Sequence, residues 1–196
     1  MDLFTSGMTI IEQIEILRNR IKDIFIKSGT IGKKTKIKLF YGDINDIGNN
    51  VLIITDPPKA KLFESREDKN LQNFISEFGL TKYFITYYYL LPNIKINRQE
   101  IKDFGYWIRQ ITDILDPKLI VCISEESQFC YFKRKFILRE NHGKQIGEYN
   151  SIPIYASYPL CYYQKQSEFE DVTYKTFIKH NDWDKIKDKY NEVIKC

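Results

Sequence analysis

The apolar run Val51–Ile54, followed by Asp56, Pro57 and Pro58, is the sequence feature that most constrains the fold. Four consecutive apolar residues, three of them β-branched, predict a strand that is buried on both faces. The two prolines cannot donate hydrogen bonds to a neighbouring strand, so we expect the strand to end at Asp56. One carboxylate is therefore predicted at the carboxyl end of a central strand, where open α/β sheets form their ligand crevice.

Strands and helices are predicted to alternate along the rest of the chain. Apolar runs that predict strands lie at 37–41, 51–54, 83–91, 119–123 and 153–156. Apolar residues at helical spacing lie over 9–27, 69–78, 98–115, 125–136 and 182–194. Residues 139–151 are polar and predict a loop. The alternation predicts an α/β fold, a three-layer α/β/α sandwich with a central, mainly parallel four-stranded sheet.

Composition limits the class of protein. The 196 residues are 43% hydrophobic and predict one domain over residues 1–196. The formal net charge of +4 permits a nucleic-acid partner without requiring one. The four cysteines form no C-x-x-C pair, which argues against a zinc or redox site and suits reduced thiols in an intracellular protein of the cytoplasm or nucleus. No apolar run approaches the ~20 residues of a membrane span, and the start of the chain lacks a secretory signal.

Several short segments follow one another in an order that is typical of a known family. They are F-Y-G-D at 40–43, V-L-I-I-T-D-P-P at 51–58, K-L-F at 61–63, Y-F-I-T-Y at 83–87, P-K-L-I-V at 117–121, H-G-K at 142–144 and A-S-Y-P at 156–159. In this order and spacing they resemble the motifs of the uracil-DNA glycosylase superfamily, most closely its family 4 type. The resemblance covers nearly all of residues 10–194.

The resemblance implies a base-excision pocket in which four positions matter most. In that family an acidic residue serves cleavage of the glycosidic bond, a phenylalanine stacks on the flipped uracil, an asparagine reads its edge, and a histidine hydrogen-bonds the departing base. The matching residues here are Asp56, Phe63, Tyr87 and Tyr158. The carboxylate and the phenylalanine are therefore kept, whereas the amide and the imidazole are replaced by phenol rings. Further pocket residues that the resemblance implies are Pro57, Pro58 and Ser157.

The family's iron–sulfur cluster requires four thiolates, and this chain departs from that pattern. The amino-terminal cysteine pair is absent, Leu90 or Leu91 stands near the third position, and Phe104 fits the fourth. We therefore expect no iron–sulfur cluster, and no other metal or cofactor is indicated.

Each candidate residue also has a purely structural interpretation. Asp56 before two prolines is a common turn, and Phe63 is more often a core residue than a stacking ring. Tyr158 could donate a phenolic hydrogen bond or simply fill a disused pocket. The many tyrosines could form platforms for single-stranded nucleic acid or could pack the sheet. Cations near the predicted loops that could contact phosphate are Lys59, Lys61, Lys95, Arg98, Lys144 and Lys165.

Three functions follow as hypotheses. The first is a uracil-DNA glycosylase-like module that has lost or reduced base excision and binds DNA, or a replication or repair protein. The second is an active, diverged glycosylase that releases uracil or another damaged base, with Asp56 as the carboxylate and Tyr158 as the donor. The third is an adaptor that contacts proteins alone. The first is favoured, because the asparagine and histidine are lost while the framework of the chain survives.

Overall fold

The computed structural model describes residues 7–58, 62–91, 98–132, 136–164 and 172–194. Its strands are β1 (Val51–Thr55), β2 (Tyr83–Tyr87), β3 (Leu119–Ile123), β4 (Lys144–Tyr149) and β5 (Ile152–Ser157). Its helices are α1 (Ile10–Lys27), α2 (Arg66–Glu77), α3 (Arg98–Leu115), α4 (Glu125–Gln128), α5 (Leu138–Asn141), α6 (Leu160–Gln164) and α7 (Val172–Ile194). A short 3₁₀ helix, Ile44–Asp46, precedes β1.

The strands form one sheet in the order β2-β1-β3-β5-β4, which confirms the predicted α/β class. The first four strands in that order are parallel, and β4 pairs antiparallel with β5 at the edge. The sheet therefore has five strands rather than the predicted four. The additional strand lies within 139–151, which was expected to be a loop. It was missed because an edge strand that is half exposed needs no continuous apolar run.

Helices cover both faces of the sheet, so the predicted three-layer sandwich is confirmed. Even-numbered β1 side chains, Leu52 and Ile54, pack with α1 and α3 in one core. Odd-numbered ones, Val51 and Ile53, pack with α2 and α7 in the other. Both faces are apolar because β1 is an interior strand with helices on either side, and all four of these side chains are fully buried.

Local signals set several of the helix ends. Thr9 caps α1 and forms a capping box with Glu12. A second capping box, between Ser65 and Asp68, starts α2 three residues before the predicted position. The Ser65 hydroxyl accepts from the Asp68 N–H at 3.1 Å, and the Asp68 carboxylate accepts from the Ser65 N–H at 2.9 Å.

Four predicted elements have different bounds. Residues 37–41 make only a bridge between Tyr41 and Ile85, and β2 ends at Tyr87 although the apolar run continues to Leu91. The helix predicted over 125–136 is reduced to α4, and the tail helix begins ten residues before 182, at Val172. The apolar run extends beyond the end of β2 because the residues after the strand, such as Leu90 and Leu91, still pack in the core.

Within the described residues, no helix combines the length and apolarity that crossing a membrane requires.

Candidate functional site

The carboxyl ends of the four parallel strands meet at one edge of the sheet. Thr55 is in register with Tyr87 on one side and with Ile123 on the other, and Ile123 is in register with Ser157. Adjacent strands are about 4.8 Å apart. The next residue of each strand is therefore presented along a single line, in the order Tyr88, Asp56, Ser124 and Tyr158.

Asp56 is the one carboxylate in this line. Burial raises the pKa of Asp56 from its ordinary value of 3.8 to about 6. A hydrogen bond from the Ser124 hydroxyl opposes this change, and the nearby negative charge of Glu126 adds to it. Oδ1 of Asp56 is buried and has no hydrogen-bond partner among the described residues. A carboxyl group of this kind exchanges a proton near neutral pH, as a general acid or base must.

Ser124 connects the end of β3 to this carboxylate. It is 3% exposed, and its backbone has φ 149° and ψ 166°, a region that residues other than glycine rarely adopt. Its hydroxyl also accepts a hydrogen bond from the Ser127 N–H at 3.2 Å and so begins α4. Strain of this kind costs about 1–3 kcal/mol and tends to occur at functional sites. Sequence reasoning missed Ser124, although its position after a buried strand is the same signal that identified Asp56.

Tyr88 closes the other side of Asp56. Burial raises the pKa of its hydroxyl, and the negative charges of Asp56 and Glu126 raise it further. The ring packs in the core that contains α1 and α3. Asp56, Tyr88 and Ser124 therefore share one corner of the edge.

Tyr87 lies on the opposite face of the sheet, against α2. Its hydroxyl donates to Oδ1 of Asp68 and accepts from the Phe63 N–H at 3.2 Å. The rings of Phe63 and Tyr87 are 4.6 Å apart between centroids, and their exposed fractions are 7% and 1%. The structure thus brings Phe63 and Tyr87 together as core residues and places neither beside Asp56.

Tyr158 stands at the end of β5 within a group of aromatic rings. Its ring stacks on Tyr162, with centroids 4.0 Å apart and planes at 14°. The imidazole of His142 lies on it at 4.8 Å. Ser157, the last residue of β5, is fully buried, and its Oγ lies 3.2 Å from the hydroxyl oxygen of Tyr163.

A chain of hydrogen bonds links this end of β5 to α7. The Tyr163 hydroxyl donates to Oδ2 of Asp182 at 3.2 Å, and Nδ1 of His142 lies 2.7 Å from Oδ1. Asp182 is fully buried, and burial raises its pKa while the hydrogen bond from His142 lowers it. Gly143 makes the close approach possible, because a Cβ there would lie 2.5 Å from Oδ1 of Asp182. Sequence reasoning did not find the pair, since forty residues separate its members.

The predicted cationic and proline positions are only partly described. Lys59, Lys61, Lys95 and Lys165 lie outside the described residues, and Arg98 begins α3 without a described side chain. Lys144 lies exposed on β4, and its ammonium donates to the backbone oxygen of Glu140 at 2.7 Å. Pro57 is half-buried and Pro58 is buried, directly after Asp56.

No group of three or more metal-ligating side chains is present in the described part of the chain. No known protein-family model matches the sequence, and no curated protein matches it either.

Proposed function

We propose that this protein is a uracil-DNA glycosylase-like module that binds DNA and has lost or reduced base excision. The observation that supports this function most directly is that Tyr87 and Tyr158 both contact other residues of the protein. By the resemblance, both rings replace residues with which a glycosylase grips a base, and both are engaged by the protein itself. The Tyr87 hydroxyl is bound by Asp68 and the Phe63 N–H. The Tyr158 ring stacks on Tyr162, and its centroid lies 4.8 Å from that of the tilted His142 imidazole.

DNA is the partner that best fits the rest of the molecule. The motif order resembles enzymes that act on DNA, the chain carries a formal net charge of +4, and Asp56 keeps its place at a strand end. A glycosylase-like fold with lost or reduced base excision is consistent with an accessory role in replication or repair.

A second candidate, an active and diverged glycosylase, is favoured by one specific observation. The half-buried Asp56 has one buried oxygen without a partner in the described residues and a pKa of about 6, which suits a group that assists cleavage of a glycosidic bond. Loss of one fixed hydrogen-bond donor typically costs ~10²–10³ in rate, so a slow enzyme could retain measurable turnover.

One experiment separates the two candidates. Excess protein is mixed with uracil-containing DNA, single-stranded or duplex, and free base is measured over time beside binding of the same DNA by fluorescence anisotropy. The module is expected to bind at low salt and to release no base. Asp56→Ala tests whether any release depends on the carboxylate, and Asp184→Ala, which removes an exposed carboxylate of α7, is the matched control.

Each other result has a definite meaning. Base release that Asp56→Ala abolishes and Asp184→Ala leaves intact would establish the enzyme and refute the module. Failure to bind any DNA at low salt would refute DNA binding itself and would favour the protein adaptor.

A further inference from the structure

A groove on the α1 side of the sheet is rich in positive charge. Its lining includes four cations, Arg18 and Lys22 from α1 and Lys36 and Lys38 from the extended segment that follows it. The groove has a volume of about 900 Å³, at the upper end of the range for ligand sites. We call it the α1 groove.

The backbone geometry explains why these cations share one groove. Residues four apart on a helix lie on the same face, which aligns Arg18 with Lys22. Lys36 and Lys38 are exposed whereas Ile37 and Leu39 are buried, an alternation that places both lysines on the outer side of the chain. Two pairs of cations therefore line one groove, and the repeated negative charges of a nucleic-acid strand are a ligand that such a groove attracts.

Two carboxylates lie near these cations. Glu64 also lines the α1 groove, and Glu15 pairs with Arg18 at 3.1 Å. In that pair the side chains are 41% and 58% exposed, so the ion pair contributes little stability and a phosphate can compete for the guanidinium. Lys38 is positioned instead by aromatic faces, with Nζ 5.2 Å from the Tyr41 ring centroid and 5.3 Å from that of Phe63.

Apolar side chains separate the cations. Ile37, Leu62, Leu90 and Leu91 also line the α1 groove. Leu90 and Leu91 lie just beyond the carboxyl end of β2, so the α1 groove opens beside the edge that carries Asp56. A mixed apolar and cationic lining suits a ligand with unpaired bases as well as phosphates, whereas a duplex keeps its base faces stacked inside.

We propose that the α1 groove binds single-stranded DNA, with Arg18, Lys22, Lys36 and Lys38 contacting successive phosphates. This inference rests on the proposed function, since it assigns a site to the DNA that the module binds. Arg18, Lys22 and Lys38 were not among the cations that the sequence indicated, and the lysines of 28–36, Lys36 included, were interpreted there mainly as solvated charge.

The test is the salt dependence of binding to a fluorescent oligo-dT of about 20 nucleotides. Four phosphate contacts on a single strand give a slope of log affinity against log salt of about −2.8. The double variant Lys22→Gln/Lys36→Gln removes two contacts, so the slope should become less steep, about −1.4. At about 0.1 M salt, the same change corresponds to a loss of affinity of about 25-fold.

Two matched variants control this test. The double variant Lys69→Gln/Lys187→Gln removes the same charge from exposed positions on α2 and α7, in the opposite layer. Its salt slope should stay steeper than that of the groove variant. Lys22→Arg with Lys36→Arg keeps the charges and should keep the slope. Circular dichroism melting of each variant verifies that it is folded.

The outcomes distinguish this inference from the proposed function. If oligo-dT binds and the two glutamine pairs lower the slope equally, or the groove pair does not lower it, the α1 groove is refuted while DNA binding stands. If a duplex of the same length binds as tightly as oligo-dT, the single-strand assignment is overturned. If no DNA binds at low salt, the proposed function itself fails.

Discussion

Two carboxylates at this edge of the sheet, the half-buried Asp56 and the fully buried Asp182, differ in their partners. Asp182 has contacts on both oxygens, with Nδ1 of His142 at 2.7 Å from Oδ1 and 2.9 Å from Oδ2, and the Tyr163 hydroxyl at 3.2 Å from Oδ2. Asp56 keeps a buried Oδ1 without any partner in the described residues. Burial raises the pKa of both groups.

The difference in hydrogen-bond partners indicates that Asp182 stabilises the fold, whereas Asp56 does not. A buried carboxylate costs stability unless hydrogen bonds compensate for the lost water. Asp182 is compensated, and it joins α7 to the β4–β5 side of the sheet. Asp56 is compensated only in part, by Ser124, so its ionised form lowers the stability of the fold.

The largest effect is expected for Asp182→Ala. The substitution removes the partner of His142 and Tyr163 and leaves both groups in a buried network. Breaking such a network typically destabilises a protein by about 3 kcal/mol. The free energy of unfolding, measured by urea titration, should fall by that amount. A loss below about 1 kcal/mol would mean that the network is not structural.

The next effect has the opposite sign. Asp56→Asn should stabilise the protein by about 3 kcal/mol at about pH 7. The pKa of Asp56 is about 6 in the folded protein and near 3.8 when unfolded, so ionisation favours the unfolded chain. The wild type therefore loses stability as pH rises through this window, whereas asparagine does not titrate.

The pH dependence provides the control for this variant. At about pH 4 the two proteins should be nearly equal in stability, because Asp56 is then mostly protonated in the folded state. Urea titrations at both pH values check the difference. A stabilisation that is the same at both values would contradict a titrating Asp56.

A smaller loss is expected for Tyr163→Phe. The change deletes one hydroxyl that bridges Ser157 and Asp182 and keeps the ring that stacks on Phe74. Removing one such hydrogen bond costs about 1 kcal/mol, to be measured by the same urea titration. A loss as large as that of Asp182→Ala would show that the hydroxyl, rather than the His142 pair, dominates the network.

The smallest change is expected for Ser124→Ala, and it concerns acidity. The Ser124 hydroxyl stabilises the ionised form of Asp56, so its removal should raise the pKa of Asp56 further above 3.8. A carbon-13 NMR titration of the Asp56 carboxyl group measures this directly. An unchanged or lowered pKa would exclude the Ser124 hydroxyl as a partner.

The sequence predicted the parallel core well because β1 and β3 are almost continuous apolar runs. Val51–Ile54 and Leu119–Ile123 are buried on both faces, and no other element gives that pattern at that length. The strand β4 was missed because it pairs on one side only, is partly exposed and contains Gly147 next to an irregularity in the register.

The site was predicted less completely, for a geometric reason. Asp56 could be identified because it follows a strand directly. Tyr87 could not be assigned to a face from the resemblance, whereas strand alternation would have placed it away from Asp56, with Ile53 and Ile85. The pair of His142 and Asp182 joins α7 to the turn before β4, and no local spacing reports such a contact.

The most direct measurement is the release of free base from uracil-containing DNA when the protein is in excess. If the protein is a binding module in which Tyr87 and Tyr158 contact other residues of the protein, it should bind the DNA and leave every glycosidic bond intact. Asp56→Ala should give the same result. Base release by the wild type that disappears in Asp56→Ala, while Asp184→Ala retains it, would contradict that function.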